Sequence, residues 1–257
     1  MAHEEQTTQP HWWDELAVAV GFLTTLPTPT VPFRPGLLGQ AGRWFPLVGA
    51  LLGLLLSGGY WGLSWLFPPT IVAVLITILW TGLTGGLHLD GLADCCDGLL
   101  AAVPPARRLE IMRDPRTGAF AVIGVVLVLL LRAACIGALP SFFPALLLIP
   151  TWARWLLLWI ARYPATQNNG LGAEFHSTLT TQTLQVALIL PLVFAVLFFQ
   201  WQLCFAIVGA IGTTWGIMRI ARQRLGGNTG DVLGLSIELS EVVMLLLLCV
   251  NVTASSS

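Results

Sequence analysis

The chain has 257 residues, a hydrophobic fraction of 56% and a charged fraction of 10%. Soluble domains carry about 25% charged residues, so this composition excludes an ordinary water-soluble globule, and its hydrophobicity also excludes an intrinsically disordered chain. The formal net charge of −1 offers no basic surface for nucleic acid, and because all 12 basic residues are arginine, a lysine Schiff base and a P-loop lysine are excluded.

Seven apolar segments have about the length that crosses a bilayer, which takes roughly 20 residues. They predict an all-α integral membrane protein, a polytopic bundle of about seven transmembrane helices. The apolar stretch 16–26 is too short to span and predicts an amphipathic or re-entrant piece. We expect one membrane-embedded domain over residues 1–257, with an N-terminal segment at 1–43 and the bundle at 44–252. The predicted spans are Trp44–Phe67, Thr70–Leu89, Ala119–Leu139, Phe142–Ala161, Leu184–Phe199, Leu203–Met218 and Val232–Val252.

Charged residues divide unevenly between the two ends of this predicted bundle. With seven spans, all the arginine-bearing connections fall on one side, while the opposite connections at 68–69, 140–141 and 200–202 carry no charge. The positive-inside rule places the arginine side in the cytoplasm. We therefore expect the N-terminus and any chemistry to face the cytoplasm, and the C-terminal segment 251–257 to face outward.

Three aspartates follow the second predicted span, in the segment GGLHLDGLADCCDGLL. Asp90, Asp94 and Asp97 are spaced i, i+4, i+7, which places them on one stripe of a helix. Their mutual repulsion favours a divalent cation among them, since oxygen ligands suit Mg²⁺ or Mn²⁺. The alternative is a solvated helix face, or capping carboxylates at the membrane edge. His88 lies near the opposite side, where it can act as acid, base or phosphate donor or simply pack in the interior.

Arginines cluster in the next polar segment, RRLEIMRDPRTGAF. Arginine binds phosphate oxygens through two parallel hydrogen bonds, and Arg113 and Arg116 flank the turn signal at Asp114 and Pro115. We expect these two arginines to bind phosphate, whereas the two that open the segment set the membrane orientation. Asp114 either joins the metal cluster or pairs with an arginine.

A glycine-rich turn opens the last predicted span, in RLGGNTGDVLGLSIELSE. The N–H groups of such a turn and of the helix N-terminus can hold an anion, although Asp231 would repel it unless a metal or an arginine intervenes. Glu238 and Glu241 are functional candidates because carboxylates inside a span are costly. The alternative is N-capping by Asp231 and interhelical hydrogen bonds for the glutamates. Two arginines inside predicted spans should also pair with carboxylates in the bundle interior: Arg132 and Arg154.

Carboxylates, arginines and a glycine-rich turn on one membrane face indicate Mg²⁺-assisted phosphoryl transfer. A membrane transporter with an intramembrane carboxylate ion site is the competing interpretation, and the one-sided charge distribution argues against it. A lipid-type phosphotransferase is a third interpretation, but its D-G-x-x-A-R pattern is absent after Asp90 and Gly91.

Several long motifs in this order resemble the cobalamin synthase family, the adenosylcobinamide-GDP ribazoletransferases. They are RWFPLVGALLG, GGLHLDGLADCCDG, EIMRDPRTGAF and GGNTGDVLGLSIELSE, and the resemblance runs from about Phe22 to Leu248. It implies an enzyme of the prokaryotic inner membrane that joins adenosylcobinamide-GDP to α-ribazole, or its 5′-phosphate, and releases GMP with Mg²⁺ as cofactor. Association with other cobalamin-assembly enzymes and a homo-oligomer both stay open. The family pattern has Thr or Ala at Cys95 and often Phe or Tyr near Leu87, positions that are neutral here.

Residue roles follow from placing this resemblance beside the charge pattern. The expected metal ligands are Asp90, Asp94, Asp97 and Asp114. The expected catalytic residues are Asp94, Asp231 and His88. The expected substrate-binding residues are Arg113, Arg116, Asn228, Glu238 and Arg224.

Overall fold

The computed structural model describes residues 11–32, 34–139, 142–168 and 170–250, without the side chains of residues 142 and 143. Within these ranges the regular structure is helical, with one isolated bridge between Ala165 and Asn228, which confirms the predicted all-α class. The segment 251–257, which contains the last two residues of the final predicted span, lies outside the described residues. The helices are α1 (Trp12–Leu23), α2 (Leu37–Ala41), α3 (Phe45–Ser64), α4 (Pro69–Thr84), α5 (Leu87–Leu100), α6 (Pro105–Met112), α7 (Ala119–Ala138), α8 (Phe142–Ala161), α9 (Leu171–Thr178), α10 (Thr181–Leu197), α11 (Trp201–Leu225) and α12 (Gly230–Leu248).

Several of these helices are long and apolar enough to make the chain a multi-pass membrane protein. In the described ranges four pass this criterion, namely the run Leu37–Ser64, α7, α8 and α11, and six segments do if two bent helix pairs each count as one span. The bent pairs are α4 with α5 and α9 with α10. The count is lower than the predicted seven because α12 carries three carboxylates along its length, at Asp231, Glu238 and Glu241.

The second predicted span, Thr70–Leu89, is not one continuous helix but is divided between α4 and the start of α5. Gly85 and Gly86 have φ angles of 64° and 70°, a left-handed conformation that glycine adopts at little cost. The chain therefore bends by 92° between α4 and α5. This bend turns the acidic segment away from the axis of α4 and across the end of the bundle.

The N-terminal segment forms a helix that is fastened to the first long span. Glu15 on α1 is buried, and its carboxylate accepts hydrogen bonds of 3.0 Å from Arg43 Nη2 and from Trp44 Nε1. Farther along α1, the ring of Phe22 stacks on that of Phe45 with centroids 5.6 Å apart. These contacts join α1 to the two residues that precede α3 and to Phe45, its first residue.

Small residues let α3 and α8 pack with their backbones in close contact. A Cβ atom added at Gly53 would lie 2.4 Å from the Leu146 carbonyl oxygen, and one added at Gly49 would lie 2.4 Å from that of Pro150. The two glycines are four residues apart on one face, the spacing that allows close helix approach in membranes. This close contact was not predicted from the sequence.

Adding a methyl group at this contact should destabilise the bundle. We expect Gly53→Ala to lower the free energy of unfolding by about 1–3 kcal/mol, the usual cost of overpacking, because the obstructing atoms belong to the backbone of α8. Gly62→Ala is the matched control, since a Cβ there meets nothing within 4 Å. Thermal unfolding in detergent measures both variants, and equal midpoints for the two would contradict the packing argument.

Candidate active site

The polar connections meet at one end of the helix bundle. The Asn228 N–H donates to the Pro164 carbonyl at 2.9 Å, and the Gly118 N–H donates to Asp97 Oδ2 at 2.6 Å. Arg224 donates to the Leu99 carbonyl. These bonds bring together the ends of α5, α8 and α11 and the starts of α7 and α12. At the opposite end, the described connections at 65–68, 139, 198–200 and 249–250 contain no charged residue.

Two glycines let α5 and α12 cross in close contact at this end. A Cβ atom added at Gly91 would lie 2.9 Å from the Asp231 carbonyl oxygen, and one added at Gly234 would lie 3.3 Å from that of His88. Because the two backbones nearly touch, the carboxylates of Asp90 and Asp94 repel that of Asp231. The close contact therefore joins parts of two motifs that are more than a hundred residues apart in the sequence.

The carboxylates at the crossing are only weakly compensated by positive charge. Within the described ranges no ion pair joins Asp90 or Asp94 to an arginine. Asp231 is attracted by Arg113 and accepts a hydrogen bond from the side chain of Thr229. We call Asp90, Asp94 and Asp231 the acidic cluster. Its weakly compensated negative charge favours a positively charged partner in a partly buried place.

Asp231 forms part of the wall of two adjacent cavities. The acidic cavity, of about 340 Å³, is also lined by His88 and Asp90 and by the apolar side chains of Phe22 and Leu233. The arginine cavity, of about 160 Å³, lies on the other side. Its polar lining comes from Arg113, Gln167, Asn228 and Thr229.

A larger hollow continues from the arginine cavity. This vestibule, of about 760 Å³, shares Ala165, Gln167 and Leu171 with the arginine cavity. Its outer part is lined by residues of the loop before α9 and of α9 itself, including Glu174 and His176. Asp231 lies between the acidic cavity and the arginine cavity, so ligands in these two cavities would meet at Asp231.

Of the two expected phosphate-binding arginines, one lines a cavity and the other lies at the surface. Arg113 lines the arginine cavity and donates to the Gln167 side chain. Arg116 is 87% exposed and pairs with Asp114 at 2.6 Å, and its hydrogen bonds lower the pKa of Asp114 to about 2. Of the two alternatives open for Asp114, the structure therefore shows pairing with an arginine, and that pair persists until the pH falls towards 2.

Asp97 is turned away from the acidic cluster and caps another helix. Its Oδ2 accepts the N–H of Gly118 at 2.6 Å and its Oδ1 accepts that of Ala121 at 2.9 Å. These N–H groups open α7, where a helix has no partners of its own for them. The expected role of Asp97 as a metal ligand stays a prediction, and its hydrogen bonds give it a structural role as well.

Removing this cap should weaken the attachment of α7. We expect Asp97→Ala to lower the free energy of unfolding by about 1–2 kcal/mol, the typical cost of losing a cap. Asp97→Asn keeps one acceptor oxygen, so its free energy of unfolding should fall by less than that of Asp97→Ala. Chemical denaturation of the three proteins in detergent measures the order of stability, and an alanine variant as stable as the original protein would contradict the capping role.

Of three further expected substrate-binding or catalytic residues, two donate hydrogen bonds to backbone carbonyls and the third lines the acidic cavity. The Asn228 side chain is buried and donates to the Ile160 carbonyl at 3.3 Å, while its Oδ1 has no partner among the described residues. Arg224 caps the end of α5 at Leu99, beside Arg108. His88 is buried on the wall of the acidic cavity, with Nε2 unpartnered in the described part of the chain.

Glu238 belongs to a buried charge network in the middle of the bundle. Arg132 on α7 pairs with Glu238 and with Glu241, the latter at 3.1 Å, and Arg154 on α8 pairs with Glu241. All four side chains are at most 2% exposed, and the Arg132 guanidinium lies 4.8 Å from the ring centroid of Trp80. The predicted interior pairing of both arginines is confirmed. Substrate contact by Glu238 stays a prediction, and its carboxylate is already paired.

The acidic cluster fits a metal site that is completed by substrate phosphates better than one made by protein side chains alone. Among the described residues no group of three His, Cys, Asp or Glu side chains could hold a metal ion by itself. Mg²⁺ in phosphoryl transfer is usually bound by one or two carboxylates together with water and substrate phosphates. Asp90 and Asp94, which have no arginine partner in the described ranges, fit such a shared site.

The fold and the site define an all-helical, multi-pass membrane protein with acidic and basic groups gathered at one end. The chain belongs to the cobalamin-5-phosphate synthase family, whose model matches residues 15–249. This confirms the family resemblance expected from the motifs.

Individual relatives match over nearly their whole length. A protein from Roseiflexus sp. named adenosylcobinamide-GDP ribazoletransferase is 35% identical, covering 95% of this chain and 95% of the relative. A protein of the same name from Ectopseudomonas mendocina is 40% identical, covering 91% and 98%, and one from Synechocystis sp. is 36% identical, covering 91% and 97%. No solved structure matches the chain.

Proposed function

We propose that this chain joins adenosylcobinamide-GDP to α-ribazole or α-ribazole 5′-phosphate, giving adenosylcobalamin or its 5′-phosphate and GMP. The names of its relatives support the first substrate. The observation that carries the proposal is the position of Asp231 between the acidic cavity and the arginine cavity. A reaction that joins two substrates at a phosphate needs two binding places that meet at charged groups.

The linked cavities suggest which substrate binds where. The acidic cavity has apolar walls at Phe22, Leu157 and Leu233, which suit the planar base of α-ribazole. The arginine cavity and the vestibule together are larger and have Arg113 in their lining, so they suit the nucleotide-linked partner. In this arrangement the diphosphate lies beside Arg113, whose guanidinium binds its oxygens.

In the proposed reaction the ribose 3′-hydroxyl attacks the phosphorus next to cobinamide. The bond from this phosphorus to the bridging oxygen breaks, and GMP leaves with that oxygen. Asp231 is placed to accept the hydroxyl proton because its residue borders both cavities. Arg113 holds the oxygens on which negative charge develops. His88 lines the acidic cavity beside the proposed ribose, and its Nε2 has no hydrogen-bond partner among the described residues.

We propose Mg²⁺ as the cofactor, held by Asp90 and Asp94 together with the diphosphate. When bound, it would neutralise phosphate charge and stabilise the departing GMP. The support is the negative charge of the acidic cluster, which has no arginine of its own at Asp90 or Asp94 in the described ranges. Asp94 also carries the combined repulsion of Asp231, Asp90 and Asp97.

We further propose that the site faces the cytoplasm from a prokaryotic inner membrane. The arginine-bearing connections gather at the end of the bundle that holds the acidic cluster, and the opposite described connections carry no charge. The positive-inside rule assigns the arginine end to the cytoplasm. Both substrates would then reach the site without crossing the membrane.

A direct assay tests this function. Purified protein in detergent or nanodiscs is incubated with adenosylcobinamide-GDP and α-ribazole, and GMP and the cobalamin product are quantified by mass spectrometry. We expect equimolar products that require both substrates and Mg²⁺. Movement of a substrate into proteoliposomes without GMP release would instead support the transporter interpretation.

A further inference from the structure

A cationic cavity lies on the surface of α11, separated from the acidic cavity. It has a volume of about 450 Å³ and its lining includes Tyr163, Trp215, Arg219, Arg222 and Gln223. Its residues from α11 belong to the last turns before that helix ends at Leu225. None of the roles discussed above involves this cavity.

No carboxylate in the described part of the chain pairs with the positive charges of this cavity. The Arg219 guanidinium lies 5.4 Å from the ring centroid of Trp215, a cation–π contact that holds the arginine in place without neutralising it. In the described ranges neither Arg219 nor Arg222 forms an ion pair, and no carboxylate lines the cavity. Two guanidinium groups that border one hollow, with no ion-pair partner among the described residues, provide a binding site for a phosphate group.

The cavity lies where a membrane-spanning helix leaves the bilayer. α11 is long and apolar enough to cross a membrane, and its C-terminal end belongs to the polar end of the bundle, as the bond from Arg224 to Leu99 shows. Trp215 is 52% exposed and Ile220 is 45% exposed, so an aromatic and an aliphatic surface flank the arginines. Tryptophan and arginine at this depth are typical of contact with lipid headgroups.

We propose that this cationic cavity binds the phosphate headgroup of an anionic phospholipid, with Arg219 and Arg222 on the phosphate and Trp215 beside the upper acyl chain. Tyr163 lines this cavity, while the next two residues, Pro164 and Ala165, line the vestibule. The same loop is joined to Asn228 by two backbone hydrogen bonds of 2.9 Å. A bound lipid would therefore contact the same loop whose next residues line the vestibule, and would stabilise its position.

Lipid binding to the purified full-length protein tests the proposal without reference to its enzymatic activity. The protein is titrated with phosphatidylglycerol and, separately, phosphatidylcholine in detergent, and binding is followed by native mass spectrometry. We expect preferential binding of phosphatidylglycerol, weakened roughly tenfold or more in the double variant Arg219→Ala with Arg222→Ala, because each arginine near the surface contributes about 1 kcal/mol. Arg107→Ala removes an exposed charge of α6 and should leave binding unchanged.

Competition distinguishes the two sources of phosphate. Inorganic phosphate at millimolar concentration should not displace the lipid, because it lacks the acyl chain that contacts Trp215. If inorganic phosphate at the same concentration displaced the bound phosphatidylglycerol, the lipid assignment would be overturned in favour of a soluble phosphate ligand. Unchanged phosphatidylglycerol binding in the double variant, with circular dichroism showing an intact fold, would overturn the site itself. Neither result would bear on the proposed transferase reaction.

Discussion

Replacing Asp94 with asparagine is expected to lower turnover by roughly a hundredfold or more while the protein still inserts and folds. Loss of one charged group that acts on a phosphate in the transition state typically costs this much. Asp94 is the member of the acidic cluster that interacts with the most other carboxylates, namely Asp231, Asp90 and Asp97. Since the substitution relieves repulsion, thermal stability should stay equal or rise. Steady-state GMP release and a thermal melt measure the two effects.

Glu110→Gln is the matched control for Asp94→Asn. Glu110 is a carboxylate at the same end of the bundle, but it is 62% exposed and pairs with Arg107 on its own helix. We expect its turnover within about twofold of the original protein, as surface pairs contribute little. Near-normal turnover in Asp94→Asn would refute a catalytic or metal-binding role for this aspartate.

Replacing Glu241 with leucine is expected to produce the largest loss of stability, about 3–5 kcal/mol, the typical cost of removing one partner of a buried ion pair. Glu241 accepts from both Arg132 and Arg154, and all three side chains are nearly inaccessible. The variant leaves Arg154 charged, buried and unpaired. Urea unfolding in detergent, or the yield of monodisperse protein, measures the loss.

The double variant Glu241→Leu with Arg154→Leu checks whether the loss comes from the unpaired charge. It removes both charges of one pair and leaves Arg132 with Glu238, so it should be more stable than Glu241→Leu alone. A double variant that is less stable than the single one would show that packing, rather than charge pairing, determines stability at this place.

Local patterns predicted the helical class and the pairing of Arg132 and Arg154 with carboxylates inside the bundle. The length of the apolar runs indicates helices that cross a membrane, and their interruptions at Pro68 and Gln200 fall where α4 and α11 begin. The arginines inside spans could be assigned to interior pairs because an unpaired charge there is too costly. The family followed from long ordered motifs.

The partners across the bundle could not be predicted, because they depend on how helices pack. The spacing of Asp90, Asp94 and Asp97 places them on one stripe, but α5 has neighbours on two sides. Asp94 faces Asp231 of α12, whereas Asp97 binds the start of α7. The second predicted span runs through Gly85 and Gly86, whereas the left-handed backbone at these two glycines sets a new direction for α5.

The proposed metal ion, shared between Asp94 and the diphosphate, is tested most directly by the electron paramagnetic resonance of Mn²⁺ added to metal-free protein, with and without adenosylcobinamide-GDP. We expect weak binding by the protein alone, because in the described ranges no three ligands could hold an ion. With the diphosphate substrate present, we expect a bound Mn²⁺ signal with coupling to phosphorus, which Asp94→Asn abolishes. A spectrum of free Mn²⁺ in the presence of protein and substrate, or a bound signal that Asp94→Asn leaves unchanged, would contradict the shared metal site.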